Sequence, residues 1–172
     1  MTPSPIPENE EQRLNTLEQL KLLSPLHEDR FDRITRIASA VLGMPVAMIN
    51  LITAREDINK SCYGMAKGAK NDRRVSFCSY TILSDEPMVI ENTLEHEQFK
   101  DHPQVAGGMN IRSYAGMPIR AADGTRPGAL CLVDTKPHKF SEKELQILKD
   151  LSHWAELEIN AAAHLQTIAV TN

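Results

Sequence analysis

The stretch Asn110-Ile111-Arg112-Ser113-Tyr114-Ala115-Gly116-Met117-Pro118-Ile119 runs through Arg120-Ala121-Ala122-Asp123-Gly124-Thr125-Arg126-Pro127 into Gly128-Ala129-Leu130-Cys131-Leu132-Val133-Asp134. Two apolar runs flank Asp123-Gly124. An Asp-Gly pair between such runs is a strong hairpin signal, because it supplies positive φ at little steric cost. Leu130, Cys131, Leu132 and Val133 are apolar on both faces of the pleat. A strand of that kind is covered on both sides and sits centrally in its sheet. The hairpin is thus expected in the middle of the fold, and the rest of the chain must supply two covers.

Working outward, Val46 to Ile52 is apolar apart from Asn50 and reads as a second strand with both faces covered. Asp57 to Tyr63 is its expected hairpin partner, joined through Thr53-Ala54-Arg55-Glu56, and Met88 to Glu91 reads as a brief strand. Gly64 to Arg74 carries Lys67, Lys70, Arg73 and Arg74 against Asp72 alone; a solvated loop is favoured there over an anion-binding one. Ser76 to Leu83 suits a short helix. Asn92 to Asn110 is long for a connection, and such a stretch is functional, partly helical or mobile.

Helices are expected at both ends. After a loose leader with three prolines, Asn9 and Gln12 sit at capping-box spacing, and Leu14, Leu17, Leu20, Leu22 and Leu23 form a stripe that ends before Pro25. Phe31, Ile34, Ile37, Ala38, Val41 and Leu42 repeat at helical spacing until Gly43 and Pro45. Beyond the hairpin, Ser141-Glu142-Lys143-Glu144 is a capping box, and Phe140 and Leu145 are placed to staple a helix running to about Leu165. The expected organisation is a leader at 1–8, one domain over 9–166 and a tail at 167–172. The last helix has a second apolar stripe through Ile147, Leu151, Trp154, Ala161, Leu165 and Ile168. A second stripe implies a second partner, either the first helix of the same chain or another copy.

With 172 residues, 41% of them hydrophobic, the chain has the size of one domain with a real core. A net charge of −4 argues against nucleic acid or an anionic membrane as partner. No apolar run approaches the roughly 20 residues that cross a bilayer. The start Met1-Thr2-Pro3-Ser4-Pro5 has no basic or apolar export region. Cys62, Cys78 and Cys131 form an odd set without metal-ligand spacing, as suits reduced thiols in a cytoplasm. His96 and His102 lie near Glu95, Glu97 and Asp101, but their spacing specifies no metal geometry. The other histidines, His27, His138, His153 and His164, are scattered.

Ser113-Tyr114-Ala115-Gly116-Met117-Pro118-Ile119 followed by Gly128-Ala129-Leu130-Cys131-Leu132-Val133-Asp134 resembles the signature hairpin of GAF domains. The resemblance extends to Arg74-Val75-Ser76-Phe77-Cys78, to Lys60-Ser61-Cys62-Tyr63-Gly64 and to a leader from Arg13, covering roughly residues 10 to 160. It implies an α+β fold: a six-stranded antiparallel sheet with the terminal and second helices on one face and short helices with loops on the other. It also implies a small-molecule pocket between the sheet and the Ser76–Asn110 segment. Phe77, Cys78, Tyr80, Phe99, Met109, Arg112 and Tyr114 are its candidate lining, with Arg112 offering a planar fork to a carboxylate or phosphate. The plainer account is that the aromatics are a satellite core under a long loop. Members of the family commonly dimerise through their first and last helices. That points to Leu14, Leu17, Ile147, Leu151, Trp154, Ala161 and Leu165 as a homodimer face.

Three functions follow from the resemblance. The leading one is a stand-alone cytoplasmic sensor that binds a small ligand or a partner and signals through its terminal helices, with output through dimer geometry or a separate protein. The second is a redox enzyme like the free methionine-(R)-sulfoxide reductases, with Cys78 as nucleophile in the first turn of a helix capped by Ser76. Against it, the Asn92–Asn110 segment offers no resolving thiol, and Cys62 and Cys131 read as small hydrophobes. The third is a pocketless dimerisation module. No bilin, haem or metal is implied: Cys78 is followed by Ser79 and Tyr80, where phytochrome-type members carry histidine after the thiol. Of the Asn-Lys…Phe…Asp-Glu signature of phosphodiesterase members, only Phe140 is kept. Asn59-Lys60 with Asp85-Glu86 mimics that signature away from its place in the fold.

Overall fold

The computed structural model of the chain describes residues 3–25 and 28–170, with side chains as far as residue 161. Ala162, His164, Leu165 and Ile168 lie beyond the described side chains, and His27 lies outside the described residues. In chain order come α1 (Glu10–Gln19), α2 (Asp29–Leu42), β1 (Val46–Ile52), β2 (Glu56–Tyr63), β3 (Lys70–Asp72), α3 (Phe77–Thr81) and β4 (Met88–Ile90). They are followed by α4 (Pro103–Ala106), β5 (Ser113–Ile119), β6 (Gly128–Asp134) and α5 (Glu142–Val170). The six strands form one sheet in the order β3-β2-β1-β6-β5-β4, and every neighbouring pair is antiparallel.

β6 lies inside the sheet: Leu132 pairs with Ala47 of β1 on one side and with Ala115 of β5 on the other. Its two apolar faces serve two cores. Leu130 and Leu132 join Ile49, Leu51, Phe31, Ile34, Leu148 and Ile159 under the helices α1, α2 and α5. Cys131 and Val133 join Ile52, Phe77, Phe99, Val105 and Tyr114 under the short helices. Each such fully buried aliphatic or aromatic side chain contributes about 2 kcal/mol through the water it sheds. The hairpin turn is built as expected, with Gly124 at φ 84° and Asp123 Oδ1 accepting from the Thr125 N–H and hydroxyl. Ser141 and Glu144 close their capping box reciprocally, at 3.2 and 2.7 Å.

Elsewhere the structure departs from the expectations. Asn9 makes no side-chain cap; Gln12 and Thr16 instead reach Asp123 Oδ2 across the molecule, at 3.3 and 2.7 Å. α1 ends at Gln19, and α5 runs on to Val170. The leader is tied down by the Ser4 N–H on the Arg74 carbonyl and by burial of Pro7. The stretch read as a solvated loop supplies the sixth strand, β3, and then a 3₁₀ turn at Arg73–Val75. Arg73 is buried there and bonds Glu10, which also holds the buried Arg13 at 2.8 Å. Arg13 in turn donates to the Ile52 carbonyl at 2.6 Å, so an ion cluster pins α1 to the end of β1.

Over Ile147, Leu151 and Trp154 the second stripe of α5 has a cover inside the chain, supplied chiefly by α2. Leu17 and Leu151 belong to the helix-side core, Ile147 and Trp154 pack against it, and Arg30 of α2 donates to the Glu158 carbonyl at 2.7 Å. Leu14 is half-buried, while Ala161 and Leu157 are exposed.

Candidate functional site

A β-bulge opposite Ile49 and Asn50 interrupts the β1–β2 register, so that Ile49 pairs with Ser61 and Asn50 with Asn59, leaving Lys60 extra. A bulge re-aims the side chains that follow it. Asp57 and Asn59 face the short-helix side before it and Cys62 faces that side after it, whereas Lys60 and Ser61 turn to the helices. Lys60 is 1% exposed there, with its ammonium on the carbonyls of Leu22 and Pro25 and on Glu28 Oε2 at 2.5 Å.

Between this part of the sheet and the short helices lies a cavity of about 270 Å³. Its sheet wall comes from Met48 and Asn50 of β1, Asp57, Asn59 and Cys62 of β2, Tyr114 of β5, and Cys131 and Val133 of β6. Met65, Ala66, Ala69, Asn71, Asp72 and Val75 to Cys78, with Gln104, Met109 and Ile111, close the other sides. Phe77 roofs it and anchors the cover: its ring stacks on Phe99 at 4.8 Å and leans on His102 at 4.4 Å and Tyr114 at 5.1 Å. Gly116 gives Tyr114 room, because a Cβ there would overlap the Tyr114 ring and lie 2.8 Å from Thr81 Oγ1. The Tyr114 hydroxyl meets Thr81 Oγ1 at 2.6 Å and the Cys78 sulfur at 3.5 Å.

A polar chain crosses the sheet wall. Asp57 Oδ2 accepts from the Ser76 hydroxyl and from Asn50 Nδ2 at 3.3 Å, and Asn50 Oδ1 accepts from Asn59 Nδ2 at 3.1 Å. Asp57 Oδ1 and Asn59 Oδ1 are buried and accept no hydrogen bond from the described residues. No cation pairs with Asp57 among the described residues, and burial pushes its carboxyl up from 3.8 to about 6, with the Ser76 and Asn50 hydrogen bonds pulling the other way. Burial likewise lowers the pKa of His102, opposed by its bond to the Val75 carbonyl. Because His102 Nδ1 accepts the Gln104 N–H at 3.0 Å, the neutral ring carries its proton on Nε2 and donates it to Val75 O at 2.5 Å.

Of the residues expected to line the pocket, Phe77, Cys78, Met109 and Tyr114 stand on the wall. Tyr80 and Phe99 pack edge to face at 5.1 Å behind it. Arg112 is also off the wall: its Nη1 donates to the carbonyls of Val105 and Ile111, both at 3.0 Å, which ties α4 to the sheet. Cys131 brings its sulfur within 3.5 Å of Cys78, so the thiol beside Cys78 comes from the sheet rather than from the Asn92–Asn110 segment. The hydrogen bond with Cys78, and burial after it, push the Cys131 thiol well above the usual range. Asp57 and Asn59 were missed by the sequence reading; the one signal was Asn50, a lone amide in an apolar strand that needs buried polar partners.

An antiparallel sheet with long helices behind and a cavity under short helices in front defines an architectural class. Within it, the family model for the GAF domain matches residues 27–159, and the chain belongs to that family. A cyclic di-GMP phosphodiesterase of Pseudomonas aeruginosa is 30% identical over 173 residues, an alignment that takes in all of this chain and 28% of the length of that protein. Among solved structures, the blue-light-absorbing form of the Thermosynechococcus elongatus PixJ GAF domain superposes with a TM-score of 0.70 at 14% identity, over 91% of this chain and 95% of that one. The GAF domain of an Acinetobacter phosphoenolpyruvate-protein phosphotransferase gives 0.64 at 19% identity, over 92% and 97%. A free methionine-R-sulfoxide reductase of Neisseria meningitidis, in complex with its substrate, gives 0.62 at 16% identity, over 88% and 91%. At these identities the structural likeness is one of fold.

Proposed function

We propose that the chain is a cytoplasmic sensory domain that holds a small molecule in the cavity between β1, β2 and β6 and the Ser76–Asn110 cover. The observation that carries this is the cavity itself: apolar walls of Met48, Phe77, Met109 and Val133 enclose a few converging polar groups, the usual make-up of a ligand site. Its size and the absence of any Lys or Arg among the residues lining it argue against a dinucleotide such as the cyclic di-GMP of the relative's name. Output through helix geometry has support in α5, whose backbone continues to Val170, beyond Ile159, the last of the described side chains that is buried. A second copy meeting the chain along Leu14, Trp154, Leu157 and Ala161 would make a homodimer. Native mass spectrometry of freshly purified protein tests both parts. A bound small molecule lost in Met109→Trp, together with a dimer mass weakened in Leu157→Glu, is expected; bare monomer in the parent protein would overturn the reading.

One observation favours a second reading, a thiol reductase: the Cys78–Cys131 pair. Reduction of methionine sulfoxide by two thiols gives methionine, water and a disulfide, and the two sulfurs lie 3.5 Å apart on the cavity wall. Turnover of methionine sulfoxide that disappears in both Cys78→Ser and Cys131→Ser is the result that would establish it.

A further inference from the structure

The polar chain on the cavity wall has a direction. As a carboxylate Asp57 only accepts, so the Asn50 amide must turn its NH₂ toward Oδ2 and its carbonyl toward Asn59. Asn59 must then present its own NH₂ to Asn50, which leaves its carbonyl oxygen pointing away from the chain. The assignment of each amide follows from the carboxylate at the end of the row. Two acceptors therefore remain without donors, Asp57 Oδ1 and Asn59 Oδ1, on residues that are each 4% exposed and line the cavity.

A buried acceptor left without a donor loses the hydrogen bond it had with water, and the loss is greater when the acceptor is charged. Nothing on the wall relieves the charge: Asp72, the other carboxylate there, is held by Arg74 at 2.6 Å, and Arg74 itself is not part of the lining. The Asp57–Asn59 end of the wall thus holds two acceptors without donors, and no Lys or Arg lines the cavity.

Taking the ligand-binding reading above as its basis, we propose that the cavity selects a small molecule with a cationic nitrogen head, a primary ammonium or an amidinium. Its cationic head docks against Asp57 and Asn59, whose spare oxygens turn into the cavity to accept from it, and its apolar body lies against Met48, Phe77, Met109 and Val133. A carboxylate or phosphate head would instead face Asp57 across a buried gap, where like charges repel strongly.

The test uses the purified 172-residue chain and four probes of similar shape, followed by calorimetry and by amide chemical shifts of the cavity residues. The probes are 2-phenylethylamine and benzamidine (cations), 2-phenylethanol (neutral) and 3-phenylpropionate (anion). The cations are expected to bind about tenfold or more tighter than the alcohol, as befits a charge-assisted bond. That preference should fall to near one in Asp57→Asn, whose amide spectrum shows whether the variant is folded, and should shrink in Asn59→Ser. A preference for the alcohol or the acid, or a cation preference that survives in Asp57→Asn, overturns the ligand class and leaves the sensor reading standing. Failure of all four probes to bind overturns both.

Discussion

Asp57 is buried, and its carboxylate lies on a cavity wall that gives one oxygen two donors and the other none. Its rise from 3.8 to about 6 means that the folded chain keeps this proton to higher pH than the unfolded chain does. Its contribution to stability accordingly falls as pH climbs between those two values and is flat above them, a change of about 3 kcal/mol. Asp57→Asn, with the same shape and no charge, should raise the stability of the ligand-free protein at pH 7 by about 2 kcal/mol and remove that slope. Urea melts at pH 4, 5, 6 and 7 check it, and an unchanged or lower midpoint at pH 7 would contradict it. A stabilising loss of a site residue is the mark of a group kept for binding. Lys60 is the opposite case, since its buried ammonium satisfies the Leu22 and Pro25 carbonyls and Glu28 together. Lys60→Met strands those acceptors and should cost about 3 kcal/mol, read from the same melts.

At the scale of elements, α5 and the cover show how local chemistry sets larger parts in place. Ser141 and Glu144 satisfy each other's backbone N–H groups at the start of α5. Ser141→Ala should therefore lose about 1 kcal/mol of stability, measurable by chemical denaturation. The cover is clamped from three sides: by Arg126 on the Ile82 carbonyl at 2.7 Å, by Arg112 on Val105, and by His102 on Val75. The His102 clamp works only with a neutral ring, because a proton on Nδ1 would confront the Gln104 N–H. The pKa of His102 is depressed below 6.5, so its contribution is complete above that pH and is lost as pH falls through the lower folded value. Amide exchange of residues 99–106, corrected for intrinsic rates, should speed up at pH 5 relative to pH 7. The effect should persist in Asp57→Asn, which separates it from the carboxylate; equal protection at both pH values would show that His102 does not hold the cover.

At the scale of the whole molecule, the central layer was legible and its edge was not. Leu130 to Val133 announced a strand with two apolar faces, and the sheet indeed places β6 between β1 and β5. β3 is Lys-Asn-Asp, all exposed, so it carries no alternation, and only its pairing with Glu56 to Ile58 makes it a strand. Arg13, Lys60 and Arg73 were equally opaque, since charged side chains are normally solvated and nothing local shows the carbonyls and carboxylates that will enclose them. In the cavity, Phe77, Cys78, Met109 and Tyr114 could be named from a resemblance, whereas Asp57 and Asn59 could not. Their facing depends on parity along β2, and the bulge at Lys60 resets parity midway. The residue sequence by itself determined the hairpin, the two-sided core and the capped last helix, because periodicity and capping act within a few residues of chain. Tertiary structure alone decided which polar groups lost water together, which thiols met and which acceptors were left over, because those outcomes depend on distances between elements far apart in the chain.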